Sequence, residues 1–422
     1  MEAVQVVDTV VGAIAKGLDF LRRQQRDWKV TVVRTNSAMF LYRLVFPYLS
    51  IYIMALGATA TQLGIVNSVG MVVAGLVSPF TGTLIDRVGA KRIYLIAIFL
   101  LAMSYLTYGV AQSWAIIIIA MAAYWIGNSV SMQNCSVICA NSLANKERAT
   151  GMAICETAGM GALAMVAPIL GALLVTTFGG INVSGMRPLF FICLAGTIAT
   201  FLLILTQLSN RRWGTPAKTS PGFFKGLSQV FREGKNLKRW LVIFSVTSLP
   251  MGMVMPFRYV FANEIKGADQ FVLGAMVTAS GLMPMVLGII WGRLADKMGR
   301  KKVMYLSMPF VWASNLLLIF APNPAFLIVA GALEGFLMLS GLPSRAMSRE
   351  LVPPEQMGRW LGISRFCSML FSAGSVYLAG VIWDNIGPEY VFLTIIATDI
   401  LIRIPLLIGM PETLGSQNDR GH

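Results

Sequence analysis

Gly82-Thr-Leu-Ile-Asp86-Arg87-Val-Gly89-Ala-Lys91-Arg92 occurs a second time as Gly292-Arg-Leu-Ala-Asp296-Lys297-Met-Gly299-Arg300-Lys301-Lys302, at an offset of 292 − 82 = 210 residues in a chain of 422. The glycines, the acid and the bases keep register, and both copies lie between long apolar segments. The match continues outside the loop: Pro47 corresponds to Pro256, Gly64 to Gly274, and Arg148-Ala-Thr-Gly151 to Arg359-Trp-Leu-Gly362. Two copies of one unit therefore make up the chain.

Composition says what that unit is. Hydrophobic residues are 56% and charged residues 13% of the sequence, and the mean hydropathy is +0.69, which excludes an ordinary soluble globule. Apolar stretches of roughly 20 residues, each long enough to cross ~30 Å of hydrocarbon as a helix, recur between short polar breaks. About twelve spans are predicted, near 36–57, 61–84, 93–110, 113–139, 150–177, 187–208, 239–262, 271–292, 303–320, 325–347, 359–382 and 390–410. The domains that follow are an N-terminal segment 1–35, a six-helix bundle 36–208, a linker 209–238, a second six-helix bundle 239–410 and a tail 411–422.

A net charge of +15 raises the question of a nucleic-acid partner, and the placement of the bases argues against one. Arg22, Arg23, Arg26, Lys29 and Arg34 precede the first span, Arg87, Lys91 and Arg92 follow the second, and Lys146 and Arg148 follow the fourth. The linker is rich in Lys and Arg, and the later even-to-odd loops carry Arg293, Lys297, Arg300, Lys301, Lys302, Arg345, Arg349 and Arg359. The opposite loops carry little beyond Arg187 and Lys266. The positive-inside rule then puts both termini and the linker in the cytoplasm. In the N-terminal segment Val4, Val7, Val11, Ile14, Leu18 and Leu21 fall on one helical stripe ending in bases, the pattern of a helix lying on the inner leaflet. No removable signal peptide is expected.

The duplicated loop resembles the one that joins the second and third, and again the eighth and ninth, helices of major facilitator superfamily transporters. That resemblance covers nearly the whole chain. It implies an all-α membrane protein of twelve transmembrane helices in two six-helix bundles, with a solute site near midplane between them and alternating access by rocking. It also implies that the loop is a gate: Asp86 and Asp296, at the ends of the second and eighth spans, would accept hydrogen bonds from the exposed amides that start spans eleven and five, near Arg359 and Arg148, when the site faces outward. Gly82 and Gly292 are expected to let helices approach closely, Gly89 and Gly299 to supply a turn closed to other residues, and Arg87, Arg92 and Arg300 to complete the motif. The plainer alternative is a topogenic turn.

Ionisable groups inside spans cost about 2.5–3.5 kcal/mol each on insertion scales, so each is a functional candidate. Arg43 lies four residues before Pro47, and Arg258 two after Pro256. Spans one and seven line the cavity in the family, so two guanidiniums facing it would form a carboxylate or phosphate clamp; otherwise each is neutralised in a structural pair, with Glu156 and Glu334 as available acids. Glu156 and Arg365 occupy related positions in spans five and eleven, and either an interbundle pair or shared solute ligation would fit. Glu334, between Gly331 and Gly335 in span ten, is a desolvated carboxylate suited to carrying a proton; proton-coupled members of the superfamily often use an acid in this helix. Asn128, Gln133 and Asn134 either bind solute or bridge helices. Asp399 and Arg403 should neutralise each other one turn apart.

Cys135, Cys139, Cys155, Cys193 and Cys367 fall inside spans without a metal or disulfide framework, and packing thiols are expected. Met251, Met253 and Met255, with Cys135 and Cys139, raise a copper-transporter reading, set against the abundance of Met, 25 residues, which favours packing. Half of the drug/proton antiporter signature is missing, since span four has no Arg and span five reads Ala167-Pro168-Ile-Leu-Gly171-Ala. Pro411-Glu412-Thr413 is similar to a sugar-porter ending, though the rest of that pattern is absent. The expected function is secondary active transport (symport or antiport) of a small organic solute, an anion in the first instance, driven by protons or a counter-anion. The alternative is a drug/proton efflux antiporter for amphipathic compounds, and a non-transporting sensor or scaffold is more remote. The expected setting is the plasma or inner membrane, as a monomer in the lipid bilayer, with no enzyme activity and no cofactor; the one His is the terminal His422.

Overall fold

The computed structural model describes residues 20–144, 147, 151–152, 154–155, 162–211, 237–352 and 357–413. Within them the chain forms α1 (Arg26–Ala55), α2 (Ala60–Val88), α3 (Ala90–Val110), α4 (Trp114–Ser142), α5 (Ala162–Thr177) and α6 (Val183–Gln207). The second half repeats this as α7 (Leu237–Ile265), α8 (Gln270–Met298), α9 (Arg300–Phe320), α10 (Pro324–Leu351), α11 (Met357–Asn385) and α12 (Pro388–Ile408). Eleven of these are long and apolar enough to cross a membrane, and α5 is the shorter exception among the described residues. The N-terminal stripe up to Leu18 and most of the linker lie outside the described residues.

Local chemistry sets the helix ends. Thr59 and Gln62 form a reciprocal capping box at the start of α2. Asn182 caps α6, Asp269 caps α8 and Asn323 caps α10, each side chain accepting from an amide in the first turn. The duplicated loop is a one-residue break. Gly89 (φ +100°) separates α2 from α3 and Gly299 (φ +107°) separates α8 from α9, so each reverses the chain with a backbone angle that only glycine adopts cheaply. Beyond these turns Lys91 donates to the Leu208 carbonyl at the end of α6, and Lys301 to the Ile408 and Met410 carbonyls at the end of α12. The repeat is thus preserved in contacts as well as in sequence.

α1 starts at Arg26, ten residues before the span read at 36–57 (36 − 26 = 10). The charges that resembled a flank are absorbed by partners: Asp27 accepts from the Ser209 amide and hydroxyl, while Arg34 donates to Ser131 and lies over the Tyr94 ring. At the far end of the chain Asp399 and Arg403 are 3.4 Å apart and buried in a π-helical turn of α12, as their spacing predicts, with Trp312 donating to the carboxylate.

The bundles meet along α2 against α11 and α5 against α8. Glycines let backbones touch: Gly64 faces the Val376 carbonyl, Gly380 faces Ala60, and Gly274 faces Pro168. Hydrogen bonds join the same surfaces, from Ser68 to the Ala373 carbonyl, Thr278 to the Met165 carbonyl and Gln270 to Thr176. These contacts lie in the half away from the duplicated loops. Toward the loops, a Cβ on Gly288, Gly292 or Gly362 would meet nothing within 4 Å. Among the described residues nothing approaches Gly292 closely.

Candidate functional site

Arg258 is 1% exposed on α7 and is held entirely within its own bundle. Nη2 donates to the Ser314 hydroxyl and the Ala330 carbonyl at 2.7 and 2.8 Å, and Nη1 to Asn315 at 3.4 Å. Nε lies 3.2 Å from Glu334 Oε2, at ion-pair distance but off line for a hydrogen bond, so both atoms count as lacking a hydrogen-bond partner. Of the two readings open for Arg258, the observed geometry is the structural pair with Glu334.

Arg43 is different. It is 6% exposed, and its Nη1 has no hydrogen-bond partner among the described residues. Its guanidinium crosses from α1 to the face of α8 and lies against Gly281, where any side chain would collide with it. Tyr42 and Tyr259 sit within electrostatic reach of both Arg43 and Glu334, which places Arg43 beside the Arg258–Glu334 pair across the bundle boundary. The two tyrosines belong to aromatic pairs: Phe46 meets Tyr259 edge-on at 5.3 Å across the bundles, and Tyr42 stacks with Tyr124 at 6.2 Å. The result is a buried cation in an aromatic setting, a combination suited to an anion with an apolar body. The sequence points to the arginines but not to the tyrosines, since aromatic residues on an apolar helix carry no signal of which face meets the partner bundle.

The other expected residues are placed more loosely. Arg365 on α11 is part-buried and its Nε lacks a hydrogen-bond partner. Asn128 is part-buried on α4, where Gln133 donates to Ser78 of α2 and Asn134 to the Val130 carbonyl of its own helix. Glu156 lies outside the described residues, as do the surroundings of Gly82 and the side chain of Asp86; Arg87 and Arg92 are exposed. An apolar groove of about 400 Å³ opens between α1 and α6, lined by Ser37, Phe40, Leu41, Gly196 and Thr200 among others. None of the ionisable candidates lines it.

In the duplicated loop Asp296 pairs with Arg300 of its own turn, and Arg300 also reaches Glu350 on α10 at 3.2 Å. Glu412 accepts from the Arg300 and Lys301 amides at 2.9 and 3.1 Å, and the Thr413 hydroxyl donates to Glu350. The Pro411-Glu412-Thr413 ending is thereby a cap on the start of α9, satisfying amides that have no partner within the helix. Met253 is buried in the central core and Met251 is exposed, whereas Cys135 and Cys139 belong to a separate cluster.

The Major Facilitator Superfamily sequence profile matches residues 35–269 and 240–417. The chain belongs to the major facilitator superfamily. Within that superfamily it is 24% identical over 335 residues to multidrug resistance protein MdtG of Yersinia enterocolitica, covering 75% of this chain and 78% of that one. It is 25% identical over 309 residues to MdtG of Escherichia coli K12, covering 69% and 72%. Among solved structures, the nucleoside transporter NupG superposes with a TM-score of 0.77 at 14% identity, over 91% of this chain and 99% of that one. The human organic anion transporter MFSD10 gives 0.64 at 18% identity, over 90% and 99%. These likenesses establish the superfamily fold, a multi-pass membrane transporter of small molecules.

Proposed function

We propose that this superfamily member moves an organic anion with an aromatic or amphipathic body by alternating access, with Arg43 as the group that meets the anion. The observation that carries the reading is the Arg43 guanidinium, buried at the bundle boundary with Nη1 unpartnered and facing Gly281. A buried cation is costly unless something completes it, and a carboxylate or phosphate on the solute would do so with a planar two-bond fork. Arg365 and Asn128 are further contacts for the solute, and Tyr42, Phe46 and Tyr259 supply its apolar walls.

Proton coupling falls to the Arg258–Glu334 pair, next to Arg43, with Glu156 as the second acid. Protonation of Glu334 would release Arg258 and alter the charge that the solute meets, linking proton and solute occupancy. The duplicated loops act as the cytoplasmic latch through Asp86 and Asp296. Here Asp296 pairs with Arg300, the disengaged arrangement, and the bundles are packed together at the other end, as in a transporter facing the cytoplasm. With the basic loops inside, both termini lie in the cytoplasm of a bacterial inner membrane.

A second reading, export of amphipathic drugs against protons, is favoured by the two relatives named multidrug resistance proteins. Reconstituted liposomes loaded with aromatic carboxylates or with lipophilic cations, with and without a pH gradient, separate the two. The anion reading requires Arg43-dependent movement of the carboxylates. Cation movement that survives Arg43→Gln would replace it with the drug reading.

A further inference from the structure

Away from the transport cavity, at the loop end of the N-terminal bundle, three cysteines from two parts of the chain converge. Cys135 and Cys139 stand one turn apart on α4, and Cys155 arrives from the segment that begins the next span. Their Sγ atoms form a triangle with edges of 4.0 Å (Cys135–Cys139), 3.2 Å (Cys135–Cys155) and 2.8 Å (Cys139–Cys155). All three side chains are buried, under Trp28 and Leu143 and beside Met152. Three thiols packed only to fill space have no reason to point their sulfurs at one another, since aliphatic carbons fill a core as well.

We propose that Cys135, Cys139 and Cys155 form a three-thiolate site for a soft monovalent metal ion, Cu(I). Thiolates select Cu(I), zinc and iron–sulfur clusters over hard cations. A structural zinc site wants four protein ligands, and among the described residues no histidine or carboxylate joins the three sulfurs. Three sulfurs around one ion at ~2.3 Å would stand ~4 Å apart. One edge already has that length, and the two edges to Cys155 need only a small side-chain adjustment.

The surroundings supply the charge that such a site needs. Three thiolates around one monovalent cation leave two negative charges, and Arg34 stands within electrostatic reach of Cys135. Arg34 is 3% exposed; its Nη2 donates to Ser131, one turn before Cys135, its Nε has no hydrogen-bond partner, and it has no carboxylate in ion-pair contact among the described residues. Thr35 Oγ1 lies 3.3 Å from the Cys135 sulfur and is able to donate to the thiolate. Binding replaces the thiol protons with the metal and releases them to solvent, with no change of oxidation state.

The test uses the purified full-length protein, reduced and free of oxygen, titrated with Cu(I) against a chromophoric Cu(I) chelator. The wild type should withhold one Cu(I) per chain, develop thiolate-to-copper absorption in the ultraviolet, and protect Cys135, Cys139 and Cys155, but not Cys367, from maleimide as mapped by mass spectrometry. Cys139→Ser and Cys155→Ser should each lose the absorption, while Cys193→Ser retains it. Arg34→Gln should keep the absorption but weaken affinity by roughly 10–100-fold, as loss of an outer-shell partner does. No Cu(I) withheld by the wild type, equal retention in the Cys155→Ser and Cys193→Ser proteins, or preferential retention of Zn(II) would each overturn the site. The protection experiment needs no variant, so a misfolded mutant cannot obscure the result.

Discussion

Asp384 Oδ2 accepts a hydrogen bond from the Thr61 amide at 2.8 Å, and Asp384 Oδ1 one from the Ala60 amide at 3.3 Å. A carboxylate at the end of α11 in one bundle thus caps the start of α2 in the other, where amides lack helical partners and the helix dipole favours an anion. The duplicated loop places Asp86 at the opposite end of α2, toward the start of α11. The same helix pair therefore carries an acid-on-helix-start contact at one end, and under the proposed latch it would carry the converse at the other, the two not being engaged together as the bundles rock. Opening the Asp384 end would cost about one charged hydrogen-bonded contact, roughly 1.5–3 kcal/mol, which the proposed latch would return.

The first expectation concerns that contact. Asp384→Asn should loosen the end at which the bundles now meet and raise maleimide labelling of a cysteine introduced at Thr61, with the protein otherwise intact. Unchanged labelling relative to the same cysteine in an otherwise native chain would mean that Gly64, Gly380 and Gly274 packing alone closes that end.

The second concerns the loops. Asp86→Asn should depopulate the outward-facing state and slow transport without reducing membrane insertion. State populations measured by site-specific accessibility should move in the direction opposite to the Asp384→Asn protein; identical populations in the two would remove the two-ended scheme.

For Arg258 and Glu334, removal of one partner leaves the other charge buried and unpaired, which costs about 3–5 kcal/mol. Glu334→Gln should accordingly lower thermal stability, and Arg258→Met combined with Glu334→Gln should recover much of the loss. The double variant should still bind solute and yet no longer respond to a pH gradient. Restored stability together with intact proton-driven transport would assign the pair a purely structural role.

Arg43 should behave in the opposite way. Arg43→Lys keeps the charge but replaces a planar fork with a point donor, so apparent affinity for an organic anion should fall while thermal stability changes by less than for Glu334→Gln. Gly281→Ala, which puts a methyl group where the guanidinium lies, should mimic it. A well-folded Arg43→Lys protein with native anion affinity would exclude direct contact.

The sequence by itself determined the class, the span count, the internal repeat and the one-residue turns, because each depends on composition or on local backbone requirements. Hydropathy fixes spans through the cost of polar groups in hydrocarbon, and Gly89 and Gly299 are legible as turns because only glycine takes their positive φ cheaply. The one-turn spacing of Asp399 and Arg403 likewise announced their pair. Tertiary structure alone decided which arginine was satisfied and which was left over. Arg258 and Arg43 read alike in the chain, and what separates them is that Ser314, Asn315, Ala330 and Glu334 fold around one while Gly281 from the other bundle faces the second. The meeting of Cys155 with Cys135 and Cys139, and of Glu412 with the start of α9, was equally invisible. Such contacts join residues far apart in the chain, and their existence depends on how helices rotate and cross when packed, which side-chain periodicity in one segment does not encode.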